Sequence, residues 1–449
     1  MTPARALYSA ALVAAKPLLR RKLARRGVTE PGYLEAIEER FGHYRQACGQ
    51  GFVWVHAVSL GETRAAGLLI HALRAEWARR GWPFRLLLTH GTATGRAEGQ
   101  RLLREGDVQV WQPWDTPAAV QRFVRHFQPA LGLIMETEVW PNLVAACQSA
   151  GIPLALANAR LNERSRAAAR RLRWLSEPAY QGFSAVWAQT EDDASRLRSV
   201  GAPVQAVLGN VKFDAQPDDA QQALGRALAR RLDNERGQRV VLLASSREGE
   251  EAALIDSWRS NAGSVGNAAI QWLVVPRHPQ RFDEVAALFK RAGLTVARRS
   301  QWGDLAAPVL PPQADVWIGD SIGEMALYYR LARLALLGGS FEPLGGQNLI
   351  EACASGCPVL VGPHTFNFAD AVELALQAGA AWRVSDMAHA VGQAQALLAD
   401  ERRCHDAAQA AVAFTQAHRG AARRTAEAAA MLLAGPLAAP DAMPQGASN

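Results

Sequence analysis

The residues best equipped for chemistry in this chain are carboxylates that directly follow apolar runs. In Val58-Ser59-Leu60-Gly61-Glu62-Thr63-Arg64 a tight turn enters a helix, which holds the Glu62 carboxylate at a strand tip, where a general base could work. The plain alternative is that Glu62 occupies the first helical turn because acidic residues favour that end of the helix dipole. A second cluster, Glu136-Thr137-Glu138-Val139-Trp140-Pro141-Asn142, follows the apolar run 131–135 and brings Glu136 and Glu138 to another strand tip. Like charges brought close raise one pKa, which lets a glutamate accept a proton near neutral pH. One of the two glutamates is expected to be structural, and Trp140-Pro141-Asn142 also reads as a helix start with an aromatic plug.

The second half of the chain offers anion binders instead. The run Gly338-Gly339-Ser340-Phe341-Glu342-Pro343-Leu344-Gly345-Gly346-Gln347-Asn348-Leu349-Ile350-Glu351 follows an apolar stretch and opens a helix, so exposed amides are expected to meet a helix N-terminus and grip a phosphate. Ser245-Ser246-Arg247 and Pro276-Arg277-His278 also follow apolar runs and supply hydroxyls, guanidiniums and an imidazole. Arg277 is the stronger candidate, because a lone histidine such as His278 is more often a hydrogen-bonded structural residue. Gly319-Asp320-Ser321-Ile322-Gly323-Glu324 could give amides and Ser321 to a nucleotide, or be a plain helix cap. Lys212 lies near a domain boundary, where an ammonium could neutralise a leaving phosphate, although a surface lysine is the commoner case. No Walker loop, dinucleotide fingerprint or metal-ligand spacing is present, so neither metal nor cofactor is expected.

These residues need a scaffold, and the apolar runs supply it. Runs at 52–58, 84–89, 131–135, 153–157 and 185–188 alternate with helical stretches, and 240–244, 272–275, 316–318, 334–337 and 358–361 repeat the rhythm. Strand alternating with helix argues for parallel sheets. An α/β protein is expected, with two doubly wound Rossmann-like domains facing a cleft: residues 31–205, and residues 206–435 with the phosphate-gripping run for a donor, the latter closed by a C-terminal helix. Residues 436–449, rich in Ala, Pro, Gly and Ser, read as a disordered tail.

The 449 residues are 49% hydrophobic and carry 49 basic against 42 acidic side chains, a net charge of +7, which fits an acidic partner. The basic residues lack the interleaved aromatics of a nucleic-acid surface, so no nucleic acid is expected. Five cysteines without a paired spacing suit a reduced compartment. The apolar stretch 6–15, followed by Lys16, Arg20, Arg21, Lys22, Arg25 and Arg26, is too short to span a bilayer, which takes roughly 20 residues. Residues 1–30 therefore read as an interfacial segment on anionic lipid, or equally as an ordinary first helix packed on its own domain.

Taken in order, Ser59-Leu60-Gly61-Glu62, Glu136-Thr137-Glu138-Val139-Trp140-Pro141-Asn142, Asn158-Ala159-Arg160, Pro276-Arg277-His278, Gly319-Asp320-Ser321-Ile322-Gly323-Glu324 and Gly362-Pro363-His364-Thr365-Phe366-Asn367-Phe368 resemble the Kdo transferases of lipopolysaccharide synthesis, over nearly the whole chain. The resemblance implies a B-type glycosyltransferase fold and transfer of 3-deoxy-D-manno-octulosonic acid (Kdo) from CMP-Kdo to a lipid A precursor (lipid IVA), with inversion and without a metal. It implies a location at the cytoplasmic face of the inner membrane, peripheral or singly anchored. By position, Glu62 would be the base and Glu136 or Glu138 would support the acceptor. The implied donor site comprises Lys212, Ser246, Arg277, His278, Ser321, Gly323, Glu324, Gly345, Gly346, Gln347, Asn348 and Glu351, with Arg277 and 346–348 on the phosphate and Glu351 on the ribose. Gln347 stands where many members carry histidine, and Ser246-Arg247 where many carry Thr-His. Both changes keep a hydrogen-bond donor, so altered contacts rather than lost activity are expected. The rival expectation is another B-type enzyme using a UDP-sugar.

Overall fold

The computed structural model describes residues 2–260, 270–302 and 309–435; the tail expected at 436–449 lies outside them. The chain divides into two compact units, Met1–Asp214 with Gly420–Asn449, and Ala215–Arg419. The expected boundary near 205 therefore falls nine residues later, at Asp214.

In the first unit seven parallel strands form one sheet: β1 (Val53–His56), β2 (Leu86–His90), β3 (Val108–Trp111), β4 (Leu131–Met135), β5 (Leu154–Ala159), β6 (Ala185–Ala188) and β7 (Val204–Val207), in the order β3-β2-β1-β4-β5-β6-β7. Strands β1, β2 and β4 to β6 are buried along their whole length, because helices cover both faces, and so their sequences read as unbroken apolar runs. Alternate residues feed opposite layers. Phe52 and Trp54 pack with Phe123 and Phe127 on one face, while Val53 and Val55 meet Ala65, Leu69 and Leu73 of the helix Leu60–Arg79 on the other.

The second unit repeats the plan with β8 (Arg239–Ser246), β9 (Ile270–Pro276), β10 (Val296–Arg298), β11 (Val316–Ile318), β12 (Ala332–Leu337), β13 (Val359–Val361) and β14 (Ala381–Arg383), ordered β10-β11-β9-β8-β12-β13-β14 and parallel throughout. Two doubly wound units are thus present, as expected.

The polar stretch 201–238, within which the boundary falls, contains β7 and the eighteen-residue helix Asp219–Arg236. One expectation needs correction. The C-terminal helix assigned to the donor domain belongs to the first unit. The C-terminal segment breaks at Gly420, whose φ of +91° is left-handed, into Glu401–Ala417 and Ala421–Ala434. The last helix then buries Ala422, Ala426 and Ala429 in the same layer as Leu69. Its start is pinned by Asp214, whose carboxylate accepts from the amides of Gly420 and of Ala422, the latter at 2.6 Å.

The N-terminal segment forms helices Pro3–Ala14 and Lys16–Thr29. The first docks on its own unit through Ser9, whose hydroxyl donates to Asn142 at 3.1 Å. Among the described residues no helix is long and apolar enough to cross a membrane.

Candidate functional site

Doubly wound sheets bind ligands at the carboxyl ends of their strands, where the strand order reverses. In the first unit that point lies between β1 and β4, and both glutamate clusters follow these strands. Ser59 caps the helix Leu60–Arg79. The Glu62 amide donates to Ser59 Oγ at 3.4 Å, while the Glu62 carboxylate accepts from the Ser59 hydroxyl at 3.2 Å and from the Val58 amide at 2.9 Å. This reciprocal cap fixes the carboxylate at the strand tip. Burial above all, with the charges of Glu136 and Glu138 adding to it, raises the Glu62 pKa to about 7 against the bonds from Val58 and Ser59.

Glu136 behaves in the opposite way. It sits just past β4 with φ +60°, in the left-handed region that non-glycine residues seldom adopt. Its burial disfavours the charge, yet Lys212 and Arg160 outweigh that and hold its pKa below the usual carboxylate value. Arg160 Nε donates to Oε2 at 2.9 Å, and Lys212 Nζ lies 2.7 Å from Oε1. Buried Asn158, with φ +52°, accepts the Val211 amide at 3.1 Å and so positions the turn Val211–Asp214 that carries Lys212. Burial raises the pKa of Glu138. Three carboxylates thus share one switch point, one kept ionised by cations and two pushed toward neutrality.

The corresponding point of the second unit lies between β8 and β12. Gly338 packs so tightly there that a Cβ would sit 2.3 Å from the Ser245 carbonyl oxygen. Fully buried Glu250 knits the two strand tips together, accepting the amides of Arg247 and Gly339, each at 2.8 Å, and of Phe341 at 3.2 Å. Beside them Arg277 is exposed at the end of β9. Partial burial first, then the charges of Arg247 and Arg277, lower the pKa of His278 and favour its neutral ring.

Comparison with known proteins then decides the family. Residues 35–215 match the family described as 3-deoxy-D-manno-octulosonic-acid transferase (kdotransferase). A 3-deoxy-D-manno-octulosonic acid transferase of Bordetella pertussis is 48% identical over 385 residues, 84% of this chain and 86% of that protein. The chain belongs to the Kdo transferase family. A Haemophilus influenzae enzyme of the same name is 30% identical over 94% of this chain and 96% of its own. Among solved structures, the UDP-GlcNAc 2-epimerase of Neisseria meningitidis, bound to UDP-GlcNAc, superposes on 81% of the chain with a TM-score of 0.51 at 13% identity, a likeness of fold alone. This Kdo transferase is therefore a glycosyltransferase with the B-type fold that the motifs implied.

Several implied site residues take other partners in this Kdo transferase. Lys212, assigned to the donor, belongs to the first unit and pairs with Glu136. Ser246 is fully buried and donates to Glu251 Oε1 at 2.7 Å; Glu251 in turn holds Arg281 at 2.8 and 3.1 Å, so this hydroxyl is committed to the interior. The glycine-rich run does not open a long helix: Ile350–Ala354 has five residues, and Asn348 Oδ1 caps it by accepting the Ile350 amide at 3.0 Å. The Gly339 and Phe341 amides bind Glu250, and the Gly346 amide donates to the Gly339 carbonyl at 2.7 Å. Gly345 and Gly346 serve shape, with φ of +89° and +75°; a Cβ on Gly345 would sit 2.4 Å from Asn367 Nδ2. In the loop after β11, Ser321 hydrogen-bonds Tyr328, Glu324 pairs with Arg299 at 2.7 Å, and the Gly323 carbonyl accepts from Gln221 at 2.9 Å. Glu351 and Arg277 both act on buried Tyr329: burial chiefly, then Glu351, raises its pKa, and Arg277 opposes them. Sequence reasoning gave no role to Asn158, Arg160 and Glu250, which position the rest. A residue tolerant of left-handed backbone at the end of a buried run was the available signal for Asn158, whereas nothing local marked Glu250.

Proposed function

We propose that this Kdo transferase moves Kdo from CMP-Kdo to a lipid A precursor in lipopolysaccharide synthesis, by single displacement with inversion. The observation that carries the reading is the split between two neighbouring glutamates, Glu62 titrating near pH 7 and Glu136 held ionised by Arg160 and Lys212. Glu62 takes the proton from the acceptor sugar hydroxyl as its oxygen attacks the anomeric carbon of Kdo. The bond from that carbon to the CMP phosphate oxygen breaks, and its electron pair leaves with CMP. Glu136, Glu138 and Lys212 form the acceptor side. The charge on the departing phosphate is met by Arg277, with neutral His278 and the Gln347 amide as hydrogen-bonding groups and Glu351 toward the ribose. Cationic side chains in that role make the reaction metal-independent in this proposal, so a chelator leaves the rate unchanged.

The membrane face of the proposal rests on the N-terminal helices. Leu7, Val13 and Leu18 are exposed there, as is Trp174 on the helix Arg173–Gln181 against which the first helix packs, with exposed Arg21, Lys22 and Arg25 on the second N-terminal helix and Arg170 and Arg171 at the end of the helix Glu163–Arg171. Apolar side chains among bases suit the anionic inner leaflet. Arg20 is drawn back to the protein, with Glu38 at 2.7 Å.

The test is release of CMP from CMP-Kdo, generated in situ, with and without tetra-acylated lipid A precursor, followed by mass spectrometry of the lipid. A gain of one or more Kdo units is the expected result. No release by folded protein sinks the reading and turns the search to UDP-sugars.

A further inference from the structure

The amino-terminal edge of the second sheet carries a groove that the proposed reaction does not use. It has a volume of about 1190 Å³ and lies where β8 and β12 begin, between the helices Asp219–Arg236 and Glu401–Ala417. The donor candidates stand at the opposite edge. The eight residues of β8 separate the two by roughly 25 Å.

Six arginines line the groove: Arg226, Arg230, Arg239, Arg330, Arg333 and Arg402. Only Asp233 and Glu401 oppose them from its walls. Asp233 is shared between Arg239 and Arg333 at 3.5 Å each, and Glu401 is taken by Arg239. Among the described residues Arg226 and Arg230 enter no ion pair. Arg330 lies deepest; it donates to the Ser355 carbonyl at 3.3 Å, while its Nε is buried without a hydrogen-bond partner among the described residues. Burial first, then Arg226, Arg333 and Arg230, push the Arg330 pKa down, so its charge is one that its surroundings disfavour.

The fold holds these like charges together on purpose of packing. A Cβ at Gly225 would sit 2.8 Å from the Leu327 carbonyl oxygen and 2.9 Å from Arg330 Cβ, so this glycine lets the helix carrying Arg226 and Arg230 lie directly against the one carrying Arg330. Gly356, at φ +69°, keeps the floor open, since a Cβ there would stand 3.1 Å from an Arg330 terminal nitrogen. The groove's lining carries a four-charge surplus, six arginines less two carboxylates, with Arg402 also facing Asp406 on its own helix at 4.0 Å.

We propose that this groove is a binding site for a small molecule bearing two or more phosphates, separate from the donor site. Guanidinium forks match phosphate oxygens in pairs, and the groove is far larger than one phosphate needs. A soluble diphosphate and a phosphorylated lipid headgroup present the same chemistry.

The test titrates inorganic pyrophosphate into the full-length protein by calorimetry at low ionic strength, in an Arg277→Ala background so that the donor site does not contribute. Binding is expected, and Arg226→Ala/Arg230→Ala should weaken it at least tenfold while Arg291→Ala, a surface control outside the groove, leaves it unchanged. Both groove positions are exposed, so folding should survive; thermal melts check this, and Arg226→Lys/Arg230→Lys, which keeps the charge but loses the fork, should recover only part of the affinity. In a parallel arm the same variants, each also carrying Leu7→Glu/Trp174→Glu so that the N-terminal helices do not contribute, are floated with cardiolipin vesicles, whose headgroup bears two phosphates. A loss of vesicle binding on Arg226→Ala/Arg230→Ala assigns the groove to a lipid headgroup, and a loss of pyrophosphate binding alone assigns it to a soluble ligand. If neither depends on Arg226 and Arg230, the proposal is overturned.

Discussion

At the scale of single residues, the helix-cap role of Glu62 and the base role proposed for it are compatible. Its carboxylate caps a helix, and the same cap holds it at the sheet's switch point with a pKa near 7. A general base must be deprotonated, so kcat/KM should rise with pH through about 7 and level off above it. Glu62→Gln should lose that limb and about 100- to 10,000-fold in rate, with CMP-Kdo affinity nearly unchanged. Appreciable residual turnover would remove Glu62 from the base role. Two buried histidines nearby carry a different pH dependence. Burial lowers the pKa of His56 to about 3 and of His90 to about 4, against an ordinary value of 6.5. Folded-state values lying below the unfolded ones mean that the unfolded chain binds more protons. Stability is therefore complete above pH 6.5 and is lost as pH falls from there toward 4, at up to about 1.4 kcal/mol per pH unit for each histidine. Hydrogen exchange of peptides spanning β1 and β2, compared at pH 7 and 5, checks this; equal protection at both would contradict it.

At the scale of elements, the second switch point depends on Glu250 as well as on its glycines. One carboxylate satisfies three amides from two strand tips, an arrangement that closes the loop after β12 onto the turn after β8. Glu250→Ala leaves those amides unpaired in the interior and should cost about 3 kcal/mol, lowering Tm and weakening donor binding together. Gly338→Ala should do the same by a steric route, because the contact it would make is with backbone that cannot yield. In the first unit Asp214→Ala removes the cap of the last helix and should cost about 1 kcal/mol. Donor affinity unaffected by Glu250→Ala would show that the loop's shape does not depend on this knot.

At the scale of the whole molecule, association with lipid should follow the N-terminal helices and their neighbour. Leu7→Glu together with Trp174→Glu is expected to reduce recovery on anionic vesicles at least tenfold without loss of CMP release from soluble acceptor analogues; unchanged recovery would place the membrane contact elsewhere. Much of the architecture was legible from the sequence. All ten apolar runs form strands, because a strand buried on both faces must be apolar throughout. The four strands without such a signal, β3, β7, β10 and β14, are the sheet edges, where residues such as Gln109, Gln205, Arg298 and Arg383 reach solvent. The glutamates at strand tips and the family motifs were legible for the same reason: each is a local pattern of residue type and spacing. What the tertiary structure alone decided is the partnership of residues distant in sequence. Lys212 pairs with Glu136, the Gly339 amide is taken by Glu250, and a helix that follows the second sheet in sequence caps the first. Such pairings depend on which buried charge finds a counter-charge and which apolar face finds cover, and these are properties of the packed chain rather than of any window along it.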